Sequence, residues 1–221
     1  MHPGPADGLA GPGTFSAIYH FQKYFLRRPD SVVDPRGWTE ARMLNQRAIS
    51  SIASRCVFPI RSGPPNKWHW TEGMRAYGAN RSGGRAHAGS DIYAPKGTPL
   101  YAMKDGIVLR SEYPYYARTN AIHLDFGEFE MVYGEIDPGS ALVKKGDRVT
   151  KGQKIAEIGH LVGISVPSDM LHAEMYDKTQ TGQISRSAAT GAKTSNGRPF
   201  KRRKDLFNSG LVFNLCHQNR P

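Results

Sequence analysis

Two short stretches of the chain carry side chains suited to holding a metal ion. His87 and Asp91 stand four residues apart in RAHAGSDIYAPKGTPLYA, across a glycine turn that enters a predicted strand. His172 lies in MLHAEMY, a predicted strand on which Met170, His172 and Glu174 share one face because side chains alternate. Imidazole nitrogens and a carboxylate oxygen are ligands that Zn²⁺ accepts, with one position left for water or substrate. The spacing alone is more typical of hydrogen-bonded structural residues at the junction of a loop and a strand.

The elements that must position these residues are short strands. Strand-like runs between glycines and prolines fill residues 56–178, namely VFPI, SDIYA, PLYAM, GIVLRSEY, AIHLDF, EFEMVYGEI, KIAEIG and MLHAEMY. Many short strands with regular turn signals predict a mainly β fold, built as a sandwich or a barrel-like sheet. Upstream of them, apolar residues recur at helical spacing over residues 15–25, and TEARMLNQRAISSIA predicts a second helix.

We therefore divide the chain into three parts. Residues 1–48 form a small helical unit, residues 49–178 form the β-rich domain, and residues 179–221 form a basic loop and a tail that packs on the core. The basic run RPFKRRK at 198–204 has the composition of a solvated arm. Cys56 and Cys216 lie at opposite ends of the β-rich part, where they suit either one disulfide or two separate buried thiols.

The composition excludes several classes of protein. The 221 residues include 30 Lys and Arg against 19 Asp and Glu, a net charge of +11, and 38% of them are hydrophobic. This mix is too apolar for a disordered chain, and no stretch has the length of a membrane helix. The opening MHPGPADGLAGPG lacks the pattern of a Sec signal peptide. The positive charge suits an acidic partner such as nucleic acid, anionic lipid or a bacterial cell wall, or it serves solubility alone.

A longer pattern surrounds the metal-ligand candidates. The string H-A-G-S-D-I-x-A-P-x-G-T-P-L-x-A-x-x-D-G-x-V, then V-x-K-G-D-x-V-x-K-G-Q-x-I-A-x-I-G, then L-H-x-E, closely resembles the lysostaphin/LytM-type zinc endopeptidases. The resemblance runs from about Phe58 to Tyr176. It implies their β-rich fold, the duplicated hybrid motif, and a Zn²⁺ ion held by His87, Asp91 and His172. It also implies the activity, which is hydrolysis of peptide bonds in peptidoglycan cross-links.

Two positions depart from the pattern of that family. Met170 stands where the first histidine of H-x-H normally assists the attacking water, and Glu135 stands where a histidine normally follows the tyrosine of Y-x-H-L. A thioether cannot act as an acid or a base, whereas a carboxylate can take a proton from water.

Because of these two departures, other residues become candidates for the catalytic roles. Glu135 is the candidate general base, Tyr133 a donor to the transition-state oxyanion and His160 a substitute acid that lines the groove. A buried strand tyrosine and a plain loop histidine are the alternatives for the last two. The departures also suit a catalytically impaired zinc-containing module that binds cell-wall peptide or a protein partner.

The N-terminal part resembles a second family. DG-x-x-GP-x-T-x-x-AI-x-x-FQ, then PD-x-VVDP-x-G and a closing LN, is similar to the back half of a small helical peptidoglycan-binding repeat; a plain helical hairpin is the alternative. Together the resemblances imply that the acidic partner is peptidoglycan, an anionic cell wall, and not nucleic acid. They imply a protein secreted or delivered to the bacterial periplasm or cell wall, as an antibacterial effector or lysin, with an immunity protein as a candidate partner.

Overall fold

A computed structural model of the chain describes residue 18 and residues 55–61, 69–164, 167, 169–217 and 221. The chain divides into two units, residues 1–51 and 52–221, and the elements below all belong to the second unit. Apart from residue 18, the helical unit predicted over residues 1–48 lies outside the described residues. Within the described residues, no helix has both the length and the apolar character needed to cross a membrane.

The described residues fold mainly into β-strands, which confirms the predicted fold class. In chain order the strands are β1 Asn80–Arg81, β2 Arg85–Ala86, β3 Ser90–Tyr93, β4 Pro99–Tyr101, β5 Gly106–Pro114, β6 Asn120–Asp125, β7 Glu130–Ile136, β8 Arg148–Val149, β9 Lys154–Glu157, β10 Met170–Tyr176 and β11 Leu206–Phe207. Two short 3-10 helices cover Gly73–Arg75 and Ser82–Gly84, and the α-helix α1 covers Ser209–Cys216.

The main sheet is antiparallel and is organised around β10. Its strand order is β11-β10-β7-β6-β5-β8. Strand β7 pairs along one edge of β10, so β3 and β11 divide the other edge between them. Every residue of β7 and β10 is buried. Strands β1 and β2 form one two-stranded ribbon, and β4 and β9 form another. The position of β10 therefore places its polar side chains inside the domain.

The predicted strand VFPI at residues 57–60 is wrong, although Phe58 and Ile60 are buried. Val57 N donates to the carbonyl oxygen of Met103 and Tyr101 N donates to that of Pro59, but no strand forms here. Pro59 has no N–H and cannot continue a ladder of hydrogen bonds. Phe58 instead contributes to an aromatic cluster.

That cluster connects the segment before the sheet to the C-terminal helix. The ring centroid of Phe58 lies 5.2 Å from that of Trp70 and 5.5 Å from that of Phe213. Trp70 Nε1 also donates to Asn214 Oδ1 at 2.8 Å, which satisfies the indole N–H. Cys216, on the same helix, and Cys56 are both buried, and no disulfide joins them.

The basic run at 198–204 packs into the domain, which corrects the expectation of a solvated arm. Phe200 is buried and stacks on Tyr77 with 4.7 Å between ring centroids. Arg203 is 1% exposed, its Nε donates to Asp205 Oδ1 at 2.7 Å, and its Nη2 donates to Glu130 Oε2 at 2.7 Å. The charges of Arg202 and Arg203 are therefore compensated by carboxylates inside the protein, whereas Lys201 and Lys204 are exposed.

Replacing Arg203 with alanine removes the cation between two buried carboxylates, those of Glu130 and Asp205. We expect the free energy of unfolding to fall by about 3–5 kcal/mol, because both carboxylates would stay buried without compensation. Urea denaturation measures this difference. Lys204→Ala, which removes an exposed neighbouring charge, is the matched control and should change stability by less than about 0.5 kcal/mol. Equal stability of the two variants would contradict the structural role of Arg203.

Candidate active site

The structure brings His87, Asp91 and His172 together in one buried cluster. His172 on β10 is the register partner of Asp91 on β3, and His87 directly follows β2. Asp91 Oδ1 lies 3.0 Å from His87 Nε2 and 2.8 Å from His172 Nδ1, and these two nitrogens are 3.0 Å apart. Strand pairing thus joins residues that are far apart in the sequence.

The second nitrogen of each imidazole faces a hydrogen-bond acceptor. His87 Nδ1 lies 2.9 Å from the carbonyl oxygen of Ala76, and His172 Nε2 lies 3.1 Å from Glu174 Oε1. An imidazole that donates from one nitrogen presents an unprotonated second nitrogen, which is the form that ligates metals. Two such nitrogens and one carboxylate oxygen fit a catalytic Zn²⁺ ion with an open coordination position.

Glu174 supports the cluster, a role that the sequence analysis did not assign. Its carboxylate is 1% exposed and accepts hydrogen bonds from the hydroxyls of Tyr115 at 2.9 Å and Tyr176 at 2.6 Å. Arg202 donates to it from Nε and Nη2 at 2.8–3.0 Å. Burial opposes ionisation, but the charge of Arg202 and the hydrogen bond from His172 hold the pKa of Glu174 well below its usual range. Glu174 therefore stays anionic.

The sequence contained a signal for Glu174 but none for Arg202. Alternation along the strand already placed Glu174 on the face of His172, as the structure shows. Arg202 lies 28 residues further along the chain, in the basic run expected to be solvated. No local pattern connects a cation to a carboxylate at that separation.

Glu135 enters the same cavity through a bulge in β7. Ala121 pairs with Gly134 and Asn120 pairs with Ile136, so Glu135 is an extra residue on its strand. Gly134 is the register partner of His172, and regular alternation would turn residue 135 to the opposite face. The φ of Glu135 is 68°, in the left-handed region, and its side chain lines the cavity. The bulge thus accounts for its direction.

The environment of the Glu135 carboxyl is both buried and anionic. Burial, reinforced by the nearby charge of Asp91, raises the pKa of Glu135 to about 8. Its Oε2 is buried and has no hydrogen-bond partner among the described residues. Buried oxygens normally have a hydrogen-bond partner, so this oxygen is available to accept from a further polar group.

The cluster and Glu135 line a cavity of about 560 Å³. Part of its lining is apolar or aromatic, formed by Met74, Tyr93, Tyr115, Tyr116, Leu161, Ile164, Met170 and Phe200. Another part is cationic, formed by Arg81, Arg85, Lys201 and Arg202. Met170 is therefore inside the cavity, where its thioether adds apolar surface and no acid–base group.

The structure does not bring Tyr133 or His160 into the cavity. Tyr133 is fully buried; its hydroxyl donates to the carbonyl oxygen of Tyr101 at 3.1 Å and accepts from Met103 N at 3.2 Å. The side chain of His160 is 51% exposed, and its Nδ1 lies 2.7 Å from Asp169 Oδ1. The expected oxyanion and acid roles are corrected, because alternation along β7 turns Tyr133 away and His160 is held on the surface.

The fold and the site define a mainly β domain with a candidate metal centre in a cavity. The comparison with protein families gives a match to a family of peptidases. Residues 85–184 match the sequence model of Peptidase family M23. The matched range contains the three metal-ligand candidates and Glu135. It ends before the C-terminal segment that supplies Lys201 and Arg202.

The two relatives that match part of this chain are much longer proteins. The chain is 33% identical over 90 residues to Peptidoglycan DD-endopeptidase ShyC and 34% identical over 89 residues to ShyA, both of Vibrio cholerae serotype O1. These matches cover 41% and 40% of this chain but 20% of each relative, so the chain spans about a fifth of their length. A zinc containing peptidase from Vibrio cholerae, solved as a crystal structure, aligns at 28% identity with a TM-score of 0.39, over 54% of this chain and 37% of that one.

Because Gly89 has no side chain, the imidazole of His172 can pack directly against it. A Cβ at Gly89 would lie 2.4 Å from the carbonyl oxygen of Ala173 and 2.9 Å from His172 Cε1. We expect Gly89→Ala to displace the imidazole and to lower the affinity for Zn²⁺ by about 10-fold or more, measured by competition with a chromophoric chelator.

Gly106→Ala is the control for the Gly89 variant. A Cβ there would meet the carbonyl oxygen of Asp125 at 2.4 Å, but Gly106 does not line the cavity. This control should lower the stability of the fold and leave the Zn²⁺ affinity of the folded protein unchanged. Wild-type affinity in Gly89→Ala would show that His172 does not depend on this close contact.

Proposed function

We propose that the chain is a zinc-dependent peptidoglycan hydrolase, an endopeptidase that cleaves peptide bonds of cell-wall cross-links. The observation that carries the proposal is the convergence of His87, Asp91 and His172 in one cavity with Glu135, inside a Peptidase family M23 domain. Two relatives are peptidoglycan DD-endopeptidases, which supports this substrate class.

The side chains of this cavity supply distinct parts of peptide hydrolysis. A Zn²⁺ ion on the three ligands would polarise the scissile carbonyl and make water a stronger nucleophile. In its ionised form, Glu135 would accept a proton from an attacking water at its buried Oε2 and return that proton to the leaving amine. Glu174 accepts from His172 Nε2 and so holds the imidazole with Nδ1 directed at the other two ligand candidates.

The proposal also covers the cellular location of the chain and its partner molecules. Hydrolysis of a cell wall requires action in the periplasm or outside the cell, and a net charge of +11 favours an anionic polymer. The proposed setting is that of an antibacterial effector or lysin, with an immunity protein as partner in the cell that makes it.

A second candidate function is a zinc-containing module that binds cell-wall peptide without cleaving it. The observation that favours it is the loss of acid–base groups from the cavity. Met170 lines the cavity but cannot transfer a proton, while Tyr133 and His160 lie elsewhere. The two candidates differ in whether Glu135 alone sustains turnover.

Digestion of purified peptidoglycan by the Zn²⁺-loaded chain, followed by mass spectrometry of the products, separates the two candidates. We expect cleaved cross-links, no cleavage after chelation, and a loss of about 100-fold or more in rate for Glu135→Gln at unchanged zinc content, since this variant lacks the base. Glu157→Gln, at a carboxylate that pairs with Lys154 outside the cavity, should keep full activity. A zinc-loaded wild-type chain that releases no product would establish the binding module instead.

Glu174→Gln tests the support of the metal ligands separately from catalysis. The neutral amide no longer compensates Arg202 and accepts more weakly from His172, so we expect the affinity for Zn²⁺ to fall by about 10–100-fold. Chelator competition measures this, with Glu157→Gln again as the matched control. Unchanged affinity in Glu174→Gln would refute the positioning role of this carboxylate.

A further inference from the structure

Charge is distributed unevenly around the cavity. The carboxylates of Asp91, Glu135 and Glu174 are buried beside the ligand cluster. Two of them are compensated by arginines, because Arg81 Nη2 donates to Asp91 Oδ2 at 2.9 Å and Arg202 binds Glu174. These ion pairs account for two of the four cations that line the cavity.

The other two cations, Arg85 and Lys201, have no such partner. Neither forms an ion pair or a hydrogen bond with a carboxylate in the part of the chain that the structure describes, although both line the cavity. They come from opposite parts of the sequence, Arg85 from β2 and Lys201 from the C-terminal segment. The cavity therefore has a positively charged wall without a carboxylate of its own.

The pairing of β1 with β2 adds to this excess of positive charge. Arg85 is the direct partner of Arg81 in the β1–β2 pair. Like charges placed opposite one another on antiparallel strands repel. Asp91 relieves only Arg81, and even there Nη1 is buried without a hydrogen-bond partner among the described residues. An anionic ligand in the cavity would remove the repulsion and satisfy these donors.

A carboxylate is the anion that a peptide can offer. A guanidinium donates in a planar fork that matches a carboxylate, and a lysine ammonium adds a mobile point charge. We propose that Arg85 and Lys201 bind a carboxylate of the peptide substrate and select acidic peptides over amidated ones. This inference rests on the proposed function and adds to it the chemistry by which the cavity chooses its substrate.

Two synthetic cross-linked peptides test the selection. They are identical except that every carboxylate of the first is a carboxamide in the second. We expect the Zn²⁺-loaded chain to cleave the acidic peptide with a kcat/KM about 10-fold higher or more, the size expected for hydrogen bonds to a charged group. The double variant Arg85→Gln and Lys201→Gln should lose this preference through a higher KM at nearly unchanged kcat.

The double variant Lys144→Gln and Lys145→Gln is the control for net charge. Both lysines are exposed and lie outside the cavity lining. The control removes the same two charges and should keep the preference for the acidic peptide. An equal loss in both double variants would mean that the overall charge of the protein, and not the cavity wall, selects the substrate, which overturns the proposal.

Binding measurements separate this inference from the proposed function. Calorimetry compares the two peptides on Zn²⁺-loaded Glu135→Gln, with and without the Arg85 and Lys201 substitutions. Tighter binding of the acidic peptide that disappears with those substitutions supports the carboxylate site, even where the wild type cleaves neither peptide. No difference in affinity between the peptides, or a difference that survives the substitutions, overturns it.

Discussion

The buried carboxylate of Glu174 is the constraint on which the candidate site depends. A charge in the interior is tolerated only when hydrogen bonds and an opposite charge compensate it. Tyr115 follows β5, Tyr176 lies on β10 and Arg202 belongs to the C-terminal segment, and all three donate to this one carboxylate. Its Oε1 also faces His172 Nε2. The orientation of a metal-ligand candidate is thereby coupled to the docking of a segment far away in the sequence.

The C-terminal segment is consequently part of the site, although it lies beyond residues 85–184, which match the family. Phe200, Lys201 and Arg202 line the cavity, and the next residue, Arg203, is held by Glu130 and Asp205 inside the domain. A run of cations is normally solvated because burial of each charge is costly. Here acidic partners on the strands are already in place, so the same run packs against the sheet. The cavity of this chain is therefore completed by residues outside the range that matches the family model.

Local sequence patterns predicted the regular strands of this structure, but they did not predict the bulge at Glu135 or the long-range contact of Arg202. Alternation placed Met170, His172 and Glu174 on one face because β10 has no bulge, and the mainly β fold followed from the spacing of strands and turns. The same rule puts residues 133 and 135 on one face, but the left-handed backbone of Glu135 turns only its own side chain into the cavity. Arg202 could not have been predicted, since its pairing with Glu174 is a tertiary contact without a periodic signal.

The bulge in β7 also brings a titratable carboxyl group into the cavity. The second nitrogens of His87 and His172 are occupied by acceptors, while Asp91 and Glu174 are held by arginines. Glu135 retains a buried oxygen without a hydrogen-bond partner among the described residues. A left-handed backbone costs a non-glycine residue about 1–2 kcal/mol, and such strain concentrates at functional positions. The fold thus holds the carboxyl group of Glu135 in an unfavourable backbone conformation beside the metal-ligand candidates, where a carboxylate is chemically able to accept a proton.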